Sequence, residues 1–227
     1  MNIAIIPSRI GSKRLKKKNI KKFLGNPIIL VTLKNLIESK LFNKIIVSSD
    51  SNNVLNICKK KFNILLHKRD KKYSTDKSTT IEAIKSCIDD KNILDDVNIC
   101  CVYPCAPMID VNDLKKTKSI LKKNKNFFIL PVKKYIHPIE RSFTLSSKNI
   151  VKKITYKNSK SRTQNFLNSY HDVGQFYWGK ARSWKKNKSI LPKAIGYPTN
   201  KIEYIDIDKK EDWVLAEKIF KFIKKNK

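Results

Sequence analysis

The chain has 227 residues, 41% hydrophobic and 30% charged, with few Gly and Pro; this suits one domain with a real core and excludes a fibrous or disordered chain. The net charge is +31, but only six of the 50 basic residues are Arg and the Lys are spread along the whole length, which fits codon bias toward Lys, Asn and Ile better than an evolved nucleic-acid reader. Five Cys without a CxxC spacing, a quickly charged start and no apolar run near the roughly 18–20 residues of a membrane span lead us to expect a soluble, cytoplasmic protein with reduced thiols, no nucleic acid and no membrane.

The run Asn2–Pro7 (NIAIIP) reads as a buried parallel strand. A polar loop, Ser8 to Asn19, carries Gly11 and a cluster of cations. Pro27 starts an apolar-periodic helix through Ile29, Leu30, Leu33 and Ile37. Lys44–Ser49 is a second buried strand ending at Asp50, Asn52–Lys61 a helix, and Ile64–Leu66 a short strand. The loop Lys68–Lys77 leads to Ser78 and Thr79, which suit the N-cap of a helix through Ile81, Ile84 and Ile88. Val97–Tyr103 is a central strand stopped by Pro104 and Pro107, Val111–Lys123 an amphipathic helix, and Phe127–Val132 the next strand.

This alternation suits right-handed βαβ crossovers and an α/β fold with a mostly parallel sheet flanked by helices. The rhythm breaks at about 135–170, where Phe143–Tyr156 resembles a hairpin around Ser146–Asn149 and Lys157–Ser169 is irregular. We expect one domain, 1–227, with this segment inserted as an arm. Val173–Trp178 and Ile202–Ile207 return as strands, and Asp212–Ile223 closes the chain as a helix.

Ligands of such sheets sit beyond the carboxyl ends of the strands. The loop that follows the first strand is therefore the leading candidate. Gly11 would let the backbone turn and present N–H groups to an anion. Arg9, Lys13, Arg14 and Lys18 supply charge for a polyphosphate, and Ser12 a hydroxyl. The loop has neither the Walker A spacing nor GxGxxG. Asp206 and Asp208 would alternate on a strand, side chains on one face, as a seat for Mg²⁺.

The string IPSRIGSKRLKKKN resembles the signature loop of the sugar-nucleotide cytidylyltransferases, which make CMP-activated 3-deoxy-ulosonic and nonulosonic acids. The likeness continues in order: Ser48-Ser49-Asp50-Ser51 is similar to that family's strand-end "STDS", and Arg69 with Ser74-Thr75-Asp76 to its nucleotide loop. Tyr103-Pro104-Cys105-Ala106-Pro107 stands where the family carries "QPTSP", and Ile205-Asp206-Ile207-Asp208 matches its late acidic pair. Tyr170-His171-Asp172-Val173-Gly174-Gln175-Phe176-Tyr177-Trp178-Gly179 resembles the "YHDAGQFYWG" stretch of the pseudaminic acid branch, and Arg162-Thr163-Gln164 its "RTQ". Tyr103 and Cys105 depart from the usual Gln and Thr.

The resemblance implies a Rossmann-like nucleotide-diphospho-sugar transferase fold with a dimerisation arm, and a homodimer. It implies transfer of CMP from CTP to an acidic nine-carbon sugar, pseudaminic acid or a legionaminic, neuraminic or other 3-deoxy-ulosonic relative, with release of pyrophosphate. Pro7, Ser8, Arg9, Gly11, Ser12, Lys13, Lys18, Asn19, Arg69, Asp76, Tyr103 and Pro104 would hold the nucleotide. Arg162 would take the sugar carboxylate, with Gln164, His171, Asp172, Gln175 and Tyr177 reading the rest of the sugar. Arg9, Lys18, Asp206 and Asp208 would be catalytic, the two Asp holding Mg²⁺ and Asp206 being the leading candidate for a base. Attack on a phosphorus surrounded by negative charge needs cations and geometry more than covalent groups.

Overall fold

A computed structural model describes residues 1–12, 14–154 and 163–225. The first half alternates as the apolar runs demand. Strand β1 (Asn2–Pro7) is followed by the small ribbon β2 (Lys22–Phe23) and β3 (Asn26–Pro27), then helix α1 (Ile28–Glu38). Next come β4 (Lys44–Ser49), α2 (Asn52–Lys61), β5 (Leu65–Lys68) and α3 (Thr80–Asp90). Then follow β6 (Asn98–Val102), α4 (Val111–Lys123) and β7 (Phe128–Lys134). The second half holds the hairpin β8 (Phe143–Leu145) and β9 (Val151–Lys153), then β10 (Tyr170–Asp172) and β11 (Phe176–Lys180). Helix α5 (Ala181–Lys186), strand β12 (Ala194–Pro198) and helix α6 (Lys210–Lys225) complete it.

The main sheet runs β10-β7-β11-β6-β1-β4-β5, with β12 also pairing β7. Pairs β1–β4, β1–β6, β4–β5 and β7–β12 are parallel, whereas β11 and β10 run antiparallel to their neighbours. The chain builds outward from β1 through β4 to β5 and then crosses back to β6 on the other side of β1. That reversal opens a crevice beyond the carboxyl ends of β1 and β6.

Alternation along the buried strands divides the core between the two faces. Ala4, Ile6, Val47, Cys100 and Val102 pack with Leu33 and Leu36 of α1, Val54 and Cys58 of α2 and Leu114 of α4. Ile3, Ile5, Ile46, Ile99 and Cys101 pack with Ile81, Ile84 and Ile88 of α3 and Trp184 of α5. A third cluster joins α6, through Trp213 and Ala216, to Phe23, Ile28, Leu15 and Ile207. At the usual ~25 cal/mol per Å² of apolar surface, such two-sided burial is what holds the parallel strands in place.

Two expectations need correction. Ile202–Ile207 is not a strand: its carbonyls go to side chains, Tyr204 O to Lys133 Nζ at 3.0 Å, Ile205 O to Gln175 Nε2 at 3.0 Å and Ile207 O to Lys18 Nζ at 2.6 Å. A backbone whose acceptors are so engaged has none left for a ladder. The strand in this region is β12, whose Gly196 and Pro198 mask it in the sequence. Val173–Trp178 is interrupted by Gly174 at φ 62°, which separates β10 from β11. The expected hairpin is present as β8–β9, closed by Ser146 and Asn149 and separate from the main sheet.

Gly179 in β11 sits against two buried rings. A Cβ there would stand 2.7 Å from Phe128 Cδ1 and 3.0 Å from Trp184 Nε1, and the two rings already meet edge-on at 4.8 Å. Gly179→Ala should therefore cost about 1–3 kcal/mol by overpacking, read in thermal denaturation as a melting temperature lower by several degrees.

Candidate active site

The crevice beyond β1 and β6 is a cleft of about 690 Å³. Its floor is Pro7, at the end of β1, and Tyr103 with Pro104, just past β6. Arg9, Ser12, Arg14, Lys18 and Asn19 enter from the loop after β1, and Arg69 and Asp76 from the loop after β5. Asp172 and Tyr177 come from β10 and β11, and Asp206 and Asp208 from the irregular segment before α6.

The loop after β1 is held by side chains rather than by glycine. Asp50 Oδ1 accepts the Ile10 amide at 3.1 Å, while Ser51 takes the N-cap position of α2. Asn19 Nδ2 donates to Arg9 O at 2.9 Å, and Cys105 Sγ donates to Asn19 Oδ1 at 3.3 Å. Burial pushes the Cys105 thiol up to about 12. Gly11 does not adopt a positive φ; the left-handed turn falls on Lys17, at φ 53°. The reason expected for Gly11 is thus absent, and the loop's shape is set by its contacts.

Cations and carboxylates are interlocked across the cleft. Arg9 Nη1 lies 2.8 Å from Asp76 Oδ1 and donates to Thr75 O at 3.0 Å. Lys18 Nζ lies 3.1 Å from Asp208 Oδ1, and Arg14 Nη1 2.8 Å from Asp208 Oδ2. Asp206 has no ion-pair partner among the described residues. Enclosure by the cleft wall, and then the charge of Asp208, hold its carboxyl above the usual range even though Lys18 and Arg14 pull the other way. Gly174 makes room for it: a Cβ there would lie 3.1 Å from Asp206 Cγ.

Arg69 is 3% exposed and has no carboxylate at ion-pair distance among the described residues. Its Nε donates to Ser74 Oγ at 2.8 Å and its Nη1 to Ser48 O at 3.4 Å. Burial lowers its pKa although the charge of Asp50 pulls the other way, which is the cost of a guanidinium taken from water without a carboxylate in contact. An anion in the cleft would offset that cost. The N-terminus of α3 opens on the same space through Ser78, Thr79 and Thr80, and its capping box pairs the amides of Thr79 and Glu82 with each other's side chains.

On the other wall, Asp172 accepts the Gly174 amide on Oδ1 at 2.8 Å and the Tyr177 hydroxyl on Oδ2. Tyr103 packs edge-on against Tyr177 at 5.6 Å and shares a hydrogen bond of 2.9 Å with Thr80. Burial raises the Tyr103 phenol to about 12 and the Tyr177 phenol further, so both hydroxyls stay protonated.

Not every expected residue reaches the cleft. Ser8 is fully buried beneath it. Gln175 is 1% exposed, and its amide holds Val173 O and Ile205 O, so it positions the acidic segment from behind. His171 is exposed, its ring tilted against Tyr135 at 5.0 Å, and Gln164 is exposed on a short turn. Lys13 and Arg162 lie outside the described residues. Conversely, Tyr73, Thr80, Cys105 and Gly174 line the cleft without having been assigned to it, and Arg14 lines it as a source of charge, as expected. Arg14's charge and its place in the loop were the available signal.

The profile of the cytidylyltransferase family matches residues 3–211. The chain belongs to that family. It is 32% identical over 224 residues to a pseudaminic acid cytidylyltransferase of Campylobacter jejuni, covering 97% of this chain and 96% of that one. It is 25% identical to the N-acylneuraminate cytidylyltransferase of Escherichia coli, covering 94% of this chain and 51% of that one. The fold is similar to that of a CMP:2-keto-3-deoxy-manno-octonic acid synthetase complexed with CTP, with a TM-score of 0.69 at 12% identity and 97% and 98% of the two chains covered. It also resembles a 4-diphosphocytidyl-2C-methyl-D-erythritol synthase from Anaerococcus prevotii, with a TM-score of 0.63 at 14% identity and the same coverage. The chain is thus a nucleotidyltransferase that uses CTP.

The Asp206 environment gives a signed prediction. Its folded pKa is raised, so its contribution to stability is present below the unfolded carboxyl value and lost as pH rises through the folded one. Asp206→Asn should melt slightly higher than the native chain at pH 7, by less than the few degrees that about 1 kcal/mol gives in a chain of this size. The difference should vanish at acid pH, as followed by denaturation across a pH series.

Proposed function

We propose that this chain transfers CMP from CTP to a nonulosonic acid, and that the acid is pseudaminic acid. The observation that carries the reading is the cleft itself, where cations from the loops after β1 and β5 face one space from one side and a carboxylate wall closes it from the other. The 32% identity to a pseudaminic acid cytidylyltransferase along nearly the full length supports this choice of sugar. The 25% identity to an N-acylneuraminate enzyme keeps a sialic-type acid as the second reading.

In this reading Arg9, Lys18 and Arg69 take the triphosphate, displacing the Arg9–Asp76 pair. Lys18 stabilises the charge that grows on the leaving pyrophosphate. A sugar hydroxyl attacks the α-phosphorus and the bond to the pyrophosphate oxygen breaks. Asp172, its carboxylate fixed by Gly174 and Tyr177, faces the sugar from β10. Tyr103 and Pro104 line the nucleotide end. His171 and Gln164 would reach the sugar only from the rim.

Asp206 and Asp208 are the residues that would hold magnesium. The donor set fits: both are oxygen ligands, and Asp206 carries a charge with no protein partner among the described residues. Among those residues no cluster of three or more His, Cys, Asp or Glu could hold a metal, so phosphate oxygens and water would complete the shell. Bound there, the ion would neutralise phosphate charge and lower the pKa of a coordinated hydroxyl. Asp206 is our candidate to accept that proton.

The described residues include no helix long and apolar enough to cross a membrane, and the five Cys are free and buried, which supports a reducing compartment such as the cytoplasm. Phe143, Leu145, Ile150 and Val151 stand exposed on the β8–β9 hairpin, which supports a homodimer formed through this arm.

The test is pyrophosphate release from CTP with magnesium, supplied in turn with pseudaminic, legionaminic, N-acetylneuraminic and ketodeoxyoctonic acids. Turnover is expected with pseudaminic acid first. No turnover with any acid would overturn the reading, and preference for N-acetylneuraminic acid would replace its sugar. Lys18→Ala should lower kcat by about 10²–10³, the usual loss for one aimed electrostatic donor.

A further inference from the structure

One polar network runs from the surface through the sheet to the back of the cleft. Register places Ser48 of β4 opposite His67 of β5. His67 is 3% exposed and Ser48 fully buried. His67 Nε2 lies 2.7 Å from Asp90 Oδ2 at the end of α3, and its Nδ1 lies 2.9 Å from Ser48 Oγ. Ser48 in turn meets Arg69 Nη1 through both its carbonyl, at 3.4 Å, and its Oγ, at 3.5 Å. Four groups thus run from the surface-facing Asp90 to a cation in the cleft.

The chemistry fixes the direction of every proton. A carboxylate at Asp90 can only accept, so Nε2 carries the hydrogen. Burial holds the imidazole below its ordinary pKa against the pull of Asp90, with Lys91 and Arg69 opposing protonation as well. The ring is therefore neutral near pH 7 and Nδ1 has a free lone pair. Ser48 has one hydrogen to give, and Nδ1 receives it. What the hydroxyl turns toward Arg69 is then only lone pairs, as a guanidinium requires. Without the acceptor at position 67, that hydrogen is free to rotate toward the Arg69 N–H and repel it.

We propose that His67 is a positioning residue for the reaction: through Ser48 it fixes the guanidinium of Arg69 in the cleft. This rests on the reading of the cleft as a CTP site, since Arg69 is the buried cation of that site. His67 touches no reacting atom. Ser74 Oγ already holds Nε at 2.8 Å; the effect of His67 is to keep lone pairs of Ser48 turned toward Nη1, so that the other arm of the guanidinium is ready for an anion without reorganisation.

Two isosteric substitutions separate positioning from mere fastening of α3 to β5. Asn at 67 places an oxygen near the Nδ1 position and keeps the acceptor for Ser48 while losing Asp90. Gln places its amide near Nε2 and keeps Asp90 while losing the acceptor. In the full chain, His67→Gln and Ser48→Ala should weaken CTP binding, measured by calorimetry, by roughly tenfold, the size of one hydrogen bond lost to a charged group. His67→Asn should stay within about threefold of the native chain even if its melting temperature falls further. Guanidinium N–H resonances of Arg69 give a second readout in the absence of nucleotide: they should exchange slowly in the native chain and His67→Asn, and fast in His67→Gln. If His67→Gln fails to fold, Ser48→Ala carries both measurements. CTP affinities that simply follow melting temperature, or Arg69 signals as protected in His67→Gln and Ser48→Ala as in the native chain, would overturn the proposal. Native protein that shows the resonance pattern yet binds no CTP would leave His67 as the positioner of Arg69 and overturn the CTP reading instead.

Discussion

The ammonium of Lys18 holds together two stretches of chain almost two hundred residues apart. It donates to the Ile207 carbonyl and pairs with Asp208, tying the loop after β1 to the segment before α6. Without that tie, neither loop has a ladder to hold it. Arg14, paired with Asp208, reinforces the tie, and Gln175 holds the same acidic segment at Ile205 from behind. A half-buried charge pair of this kind is a weak source of net stability. Its value here is registry, because it decides which cations and which carboxylates face the same space.

The sheet supplies the coordinates for that tie. Reversal of strand order at β1 puts the ends of β1 and β6 side by side with no crossover above them. The cations of the cleft then come from loops that begin at the ends of β1 and β5. Charge is arranged in excess on the cationic side, with Arg69 buried and short of a counter-charge, while Asp206 is left unpaired opposite. A ligand that carries several negative charges and brings a cation with it satisfies both sides together. A singly charged ligand satisfies only one.

Much of this was legible in the residues. The runs NIAIIP, KIIVSS and VNICCVY are too apolar to be anything but two-sided strands, and they are β1, β4 and β6. The basic loop after the first of them could be placed from order alone. Asp206 and Asp208 were found for an imperfect reason: alternation of Ile, Tyr and Asp suggested a strand, but Lys133, Gln175 and Lys18 take the carbonyls first. Gln175 could not have been read, because a side-chain amide at 175 serving a carbonyl at 205 leaves no local pattern. The same holds for β12, whose Gly and Pro argue against a strand until β7 offers it an edge. Local pattern records which residues want burial; it does not record which side chain will satisfy a distant backbone group.

Cys105 stands in the wall of the cleft, where a thiol invites covalent chemistry. Its proton is held to about pH 12 by burial, and its sulfur is committed to Asn19. Almost none of it is thiolate at neutral pH, and thiolate is the form that reacts with alkylating agents and peroxides. The cleft therefore contains a cysteine and yet has the redox inertness of one without, and an inhibitor designed around a sulfur-seeking warhead would find no nucleophile to capture.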